Sequence, residues 1–294
     1  MAKKPKWENN SPAKGVTLAT ELWNKVETAV IKNADLEFRT HLGASVIGDE
    51  CGRKVYYAFH WANKETPPGR IVRLWDRGHH EEVQFEKILR DAGMEIYTSD
   101  VTTGKQFRMS DLDGHYGGSI DGVGKGLPEM PDEWVLLEFK THNENSFAKL
   151  TKEGVRKSKP QHAAQMDTYM KYKGLSFALY CAVNKDTDEL YLEIISVNIA
   201  SADRFRMRAD VIINTKTPPQ KLTTHKDFMY CKYFCEFTEI CHDKVAPLVN
   251  CRTCAFSSPA TEGTWHCSKL KKTLSKQDQL DACPKYKRNL NFNK

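Results

Sequence analysis

The chain has 294 residues, enough for a sizeable core, either as one large domain or as a domain with an appendage. Lys and Arg number 44 against 38 Asp and Glu, a formal charge of +6, and this modest basic excess suits a polyanionic partner without identifying one. No apolar run approaches the length of a bilayer span, so no membrane association is expected. The absence of a P-loop excludes a built-in ATP motor. The opening MAKKPKWENNSPAKG lacks the hydrophobic core of a signal peptide. The expectation is a cytoplasmic chain in a reducing setting, where nine cysteines serve as metal ligands or buried thiols before they serve as disulfides.

Residues 1–15 read as a disordered basic arm. From about Val16 to Arg39 the spacing of Leu18, Leu22, Trp23, Val26 and Val30 predicts a packing helix. Cys51 then directly precedes a basic and aromatic helix that carries Tyr56, Tyr57, Phe59 and Trp61. After the linker NKETPPG, the stretch RIVRLWDRGHHEEVQFEKILRDAG is helical by spacing and stops at Gly93. Leu74, Trp75, Gly78, Glu82, Phe85 and Leu89 fall along one side, so Glu82 interrupts an apolar stripe. It is either an acid paired to a neighbouring base or part of a site, with His79 and His80 as rivals for that place.

MEIYTSDV predicts a strand, and KQFRMSDLDGHYGGSIDGV an approach strand ending at Asp121, with Asp111 and Asp113 upstream in a turn-like segment at the surface. In WVLLEFKT, period-two alternation sends Val135, Leu137 and Phe139 to one face and Leu136, Glu138 and Lys140 to the other. Two opposite charges therefore share a face, which is costly in a buried strand unless they are paired or hold a metal. Asp121 can lie beside Glu138 on the neighbouring strand. Two carboxylates meeting there make an oxygen-rich site for a hard divalent cation such as Mg²⁺, and Lys140 adds a positive charge next to the reacting oxygen. That chemistry suits phosphodiester hydrolysis.

The segment SFAKLTKEGVRKSKPQ follows, with Lys152, Arg156, Lys157, Lys159 and Gln161 read as phosphate contacts. Pro160 opens a helix on which Gln165 and Tyr169 lie four residues apart on one face. LSFALYCAVN and ELYLEIISV predict two further strands joined by a KDTD turn, Cys181 being a core thiol in the first. ADRFRMRADVIINTK predicts an amphipathic helix, and the prolines at 218 and 219 close the domain. The remaining tail is dense in cysteine, as a metal-organised module would be.

The segments GSIDGV and LLEFKT resemble the PD-(D/E)XK nuclease superfamily, with Ile120 standing where the family name has proline. Glu82, four residues after Gly78, and the Gln165-x-x-x-Tyr169 helix are similar to the RecB-like exonuclease branch, which includes AddB and the CRISPR-associated adaptation nucleases. The resemblance covers roughly Gly43 to His242. It implies an α/β, restriction-endonuclease-like fold: a mixed central sheet flanked by helices over residues 16–242, here followed by a Cys-rich metal-binding module over 243–294.

The activity implied is that of a Mg²⁺- or Mn²⁺-dependent DNA exonuclease in recombination, repair or phage or host DNA processing, with a helicase or recombinase as a conceivable partner. Asp121 and Glu138 would bind the metal with Glu82 as a further ligand, Lys140 would position the water, and Gln165 and Tyr169 would orient substrate. The alternatives are a non-cleaving DNA-end or partner-binding scaffold and a structure-specific endonuclease. Cys51 with Cys231, Cys235 and Cys241 is similar to the family's 4Fe-4S ligand set. The three-residue first gap leaves zinc open, and His242 as another ligand. Cys251, Cys254, Cys267 and Cys283 have a zinc-ribbon spacing, with His266 as an alternative ligand.

Overall fold

The structure, a computed structural model, describes residues 17–293; the expected basic arm at residues 1–15 lies outside the described residues. The first elements are α1 (Thr20–Asn33), β1 (Leu42–Gly43), α2 (Gly52–Phe59), α3 (Gly69–Asp91) and β2 (Glu95–Tyr97). There follow β3 (Arg108–Asp111), β4 (Tyr116–Ser119), β5 (Gly122–Lys125) and β6 (Val135–His142), then the helices α4 (Glu144–Ser158) and α5 (Pro160–Lys173). β7 (Phe177–Asn184), β8 (Leu190–Ser196) and α6 (Ile199–Asn214) complete this part.

The central sheet has the order β2-β5-β6-β7-β8. β6 and β7 are parallel and the other neighbours antiparallel. The parallel pair needs a long crossover, and α4 and α5 supply it. The expected mixed sheet flanked by helices is therefore present. The period-two pattern of β6 divides two cores. Val135, Leu137 and Phe139 pack with Phe85 and Leu89 of α3, the rings of Phe85 and Phe139 stacking at 5.3 Å, whereas Leu136 joins Met166 and Tyr169 of α5 on the opposite side.

Two expectations are corrected. The approach strand to Asp121 is a hairpin followed by a change of sheet: β3 and β4 pair antiparallel beside β1 in a separate three-stranded sheet, and the chain enters the central sheet only at Gly122. Leu112 and Asp113, at φ +48° and +54°, and Gly114, at φ +82°, form the turn between these two strands, where the turn-like segment at Asp111 and Asp113 is expected. The helix α1 is shorter than the predicted span and does not bury an apolar stripe. Leu22 and Val26 are 62% and 42% exposed. Its buried residue is Glu27, ion-paired to Arg73 of α3.

After α6 lie α7 (Met229–Phe234), α8 (Thr238–His242), a three-stranded antiparallel sheet of β9 (Ser257–Pro259), β10 (Trp265–Cys267) and β11 (Lys272–Leu274), and α9 (Lys276–Asp281). This segment shares its core with the preceding one: Trp265, Leu274 and Phe292 cluster with Tyr56, Tyr57 and Phe59. Backbone and side chains join them as well, Leu248 N–H donating to Ala62 O at 2.7 Å and the Tyr57 hydroxyl to Phe292 O at 2.8 Å. Among the described residues no helix is long and apolar enough to cross a membrane.

Candidate active site and cysteine groups

Asp121 occupies the crossing point between the two sheets, immediately before β5. The register Gly122↔Leu137, continued by one residue, sets it opposite Glu138. Its Oδ2 accepts the Phe139 N–H at 2.9 Å, which fixes the carboxylate at the edge of β6. Lys140 Nζ stands 3.9 Å from that same oxygen and forms an ion pair with Glu138. Asp121, Glu138 and Lys140 thus converge, as the alternation predicts.

Glu138 is fully buried, and neither carboxylate oxygen accepts a directed hydrogen bond although Lys140 lies against one of them. Burial, with the nearby charges of Asp121 and Glu82 in the same sense, raises its pKa to about 7 against the pull of Lys140. For Lys140 burial acts downward, but Glu138, Asp121 and Glu82 together outweigh it and hold the ammonium charged. Glu82 belongs to the same field: burial and Asp121 raise its pKa, while His79 and Lys140 oppose. His79 and His80 are exposed. Among the described residues no group of three or more His, Cys, Asp or Glu side chains could hold a metal ion as it stands; the Lys140 ammonium lies at the buried carboxylate instead.

Tyr169 and Gln165 of α5 are both buried. Burial first, then the charges of Glu138 and Asp121, raise the Tyr169 pKa, so the phenol keeps its proton. It reaches the site because Gly118 has no side chain: a Cβ there would meet the Tyr169 hydroxyl at 2.1 Å. Gln161 donates to Ser45 O at 2.7 Å. In α4, Arg156 is held by both oxygens of buried Asp167, at 2.9 and 3.1 Å, and Lys159 by Ser146 Oγ at 2.6 Å. Lys152 and Lys157 are exposed. Lys152, Lys157 and Arg156 are thus at the surface, Arg156 with its guanidinium already engaged, while Lys159 and Gln161 are part-buried and tied into the fold.

Sequence reasoning missed a polar chain behind Lys140. His142 Nε2 and His162 Nδ1 each hydrogen-bond the Tyr180 hydroxyl at 2.9 Å, and Ser146 Oγ links His142 Nδ1 at 3.2 Å to Lys159. Burial lowers the pKa of His142 to about 4 and of His162 to about 2, with Lys140 adding to the effect at both. Both rings are neutral at physiological pH. His142 was within reach of the sequence, because it continues the Leu136, Glu138, Lys140 face by one more step of two. His162 and Tyr180 had no comparable signal.

The cysteines gather as two groups of four free thiols, with Cys181 apart in the core. Cys51, at the start of α2, lines one cavity with Cys231, Cys235, Cys241 and His242. Cys251, Cys254, Cys267 and Cys283 line another; His266 is not part of that wall. Proximity is also felt electrostatically: burial, then Cys254, Cys283 and Cys267, push the Cys251 thiol up to about 11.

No family model matches the chain, and no curated protein matches it. Among solved structures, an alkaline exonuclease (LHK-Exo) from Laribacter hongkongensis is similar over 64% of this chain and 90% of its own, at 15% identity and a TM-score of 0.44. The same protein in complex with dAMP gives 13% identity and 0.41 over 64% of this chain and 90% of its own. SSO0001 is similar over 77% of this chain and 98% of its own, at 15% identity and 0.43.

Proposed function

We propose that the chain is a divalent-metal-dependent deoxyribonuclease that degrades DNA from its ends, on a nuclease fold of the RecB-like type. The observation that carries the reading is the Glu138 carboxylate, buried beside Asp121 with the Lys140 ammonium against one oxygen and no partner on the other. A glutamate kept in a core for packing collects donors, whereas open lone pairs next to Asp121 fit a hard cation. Asp121 and Glu138 would hold Mg²⁺ or Mn²⁺, with Glu82 completing the acidic set. Such an ion, when bound, lowers the pKa of a water and polarises the phosphate.

The remaining steps belong to the chain's own groups. Lys140, at Glu138 and 3.9 Å from Asp121 Oδ2, would orient the attacking water or stabilise charge developing on phosphate. Tyr169, protonated, offers a donor, and Gln165 on the preceding turn of α5 orients the groups around it. Lys152 and Lys157, both exposed, would meet the DNA backbone; Arg156, Lys159 and Gln161 would brace the helices that carry that surface. Cys51, Cys231, Cys235 and Cys241 would hold a 4Fe-4S cluster or a zinc ion that ties α2 to α7 and α8. Four thiols suit either, and iron and sulfide analysis of anaerobically purified protein distinguishes them.

The test is cleavage of linear and closed circular DNA with Mn²⁺. Wild type should degrade the linear substrate and leave the closed circle, while Glu138→Gln and Lys140→Ala bind DNA without cutting it. Linear DNA bound but left whole by wild type points to an end-binding scaffold, and a cut circle to a structure-specific endonuclease.

A further inference from the structure

The second cysteine group lies outside the nuclease site, and nothing about it depends on that site's function. We propose that Cys251, Cys254, Cys267 and Cys283 bind a single structural zinc ion, which fixes the Cys251–Cys254 turn and through it holds the Arg252 guanidinium in the shared core.

Three observations lead there. First, four thiols from three separate pieces of chain, the turn at Cys251–Thr253, the end of β10 and the segment after α9, face one cavity of about 60 Å³. Second, Lys269 and Lys285 stand around the same cavity, beside a Lys272–Asp278 ion pair at 2.9 Å, and the Leu270 N–H points at Cys267 Sγ at 3.4 Å. Four thiolates on one divalent ion carry a net charge of about −2, which such cations and N–H donors complement. Third, the sheet of β9, β10 and β11 is built from three-residue strands, and the only buried apolar side chains it contributes besides cysteine are Trp265 and Leu274. A sheet of that size needs another source of cohesion. The thiols line the cavity without forming a closed set, so binding would draw them inward and tighten the turn.

The turn matters because of what lies between its cysteines. Arg252 is 2% exposed. It donates to Phe59 O, Thr40 O and the Gln279 Oε1, each at 2.9 Å, and lies over the rings of Trp61 at 3.8 Å and Trp265 at 4.8 Å. A Cys-x-x-Cys clamp on both sides of this residue sets the direction in which it enters the core.

Zinc and iron are measured per chain in full-length protein purified without added metal. Cys254→Ser and Cys283→Ser should each lower zinc by one ion per chain and leave the metal carried by Cys51, Cys231, Cys235 and Cys241 unchanged, with Cys181→Ala as the silent control. Unchanged zinc in both variants, or loss of iron instead, overturns the proposal. Should the serine variants fail to fold, wild type is titrated with a mercurial and the labelled cysteines mapped by mass spectrometry. Zinc should then leave in step with labelling of Cys251, Cys254, Cys267 and Cys283, and labelling of these four without zinc release is fatal to it. Stripping zinc from wild type should also speed amide exchange across the end of α2 and residues 40–42, where the Arg252 partners lie. Unchanged exchange there removes the link to Arg252.

Discussion

Glu138 and Arg252 both place a charge in the interior, and they do so in opposite ways. Every nitrogen of the Arg252 guanidinium has an acceptor and its faces meet aromatic rings, so the group is complete without anything from outside. Burial lowers its pKa to about 9, which still leaves it charged at neutral pH. Glu138 has one ion-pair partner and two oxygens without a directed donor, and its pKa rises to about 7. A buried charge with all its partners builds the fold, and one lacking them is a candidate for holding a ligand.

The sharpest way to break this comparison is through cutting. Glu138→Gln and Asp121→Asn should each lower the DNA cleavage rate by about three orders of magnitude or more, read as loss of label from linear DNA ends, since each removes a charge that transition-state stabilisation requires. Arg252→Met should cost about 3 kcal/mol in urea unfolding, because it strips three hydrogen bonds and the cation–π contacts from the core. Cleavage per folded molecule should hardly change. If that variant instead keeps full stability and loses activity, the roles of the two buried charges are reversed.

A third test uses pH. The Glu138 pKa is raised on folding, so between the ordinary carboxylate value of 4.5 and about 7 the unfolded chain releases a proton that the folded chain retains. The folded state accordingly loses stability as pH rises through that window. In the presence of chelator, Glu138→Gln should therefore be more stable than wild type at pH 8, by about 1 to 3 kcal/mol, and the gain should fade toward pH 5. Thermal melts at the two pH values measure it; a variant less stable than wild type at pH 8 would mean that Glu138 is well satisfied. The smallest effect concerns Tyr169. Gly118→Ala should displace the phenol through its 2.1 Å clash and reduce cutting about tenfold or more, whereas Tyr169→Phe, which keeps the ring, should lose less. Equal losses would assign the whole effect to the hydroxyl.

Much of the site was legible in the chain because its information is local. Period two in WVLLEFKT is enough to put Glu138 and Lys140 on one face, and a step of four is enough to align Gln165 with Tyr169. The same local logic failed on α1, whose Leu22 and Val26 spacing is helical although the helix has little to bury them against, and on the stretch before Asp121, where the strands on either side of the turn belong to a second sheet.

The sequence by itself determined the alternation that pairs an acid with a lysine in β6, the carboxylate that precedes it at Asp121, and the spacing of the cysteines. Tertiary structure alone decided that Arg156 is held by Asp167, that His142 and His162 share Tyr180, and that Arg252 enters a core made by α2 and β10. The physical reason is that periodicity follows from the geometry of one element. These other facts follow from contacts between residues far apart in the chain, whose partners are selected by packing and by the cost of leaving a buried polar group alone.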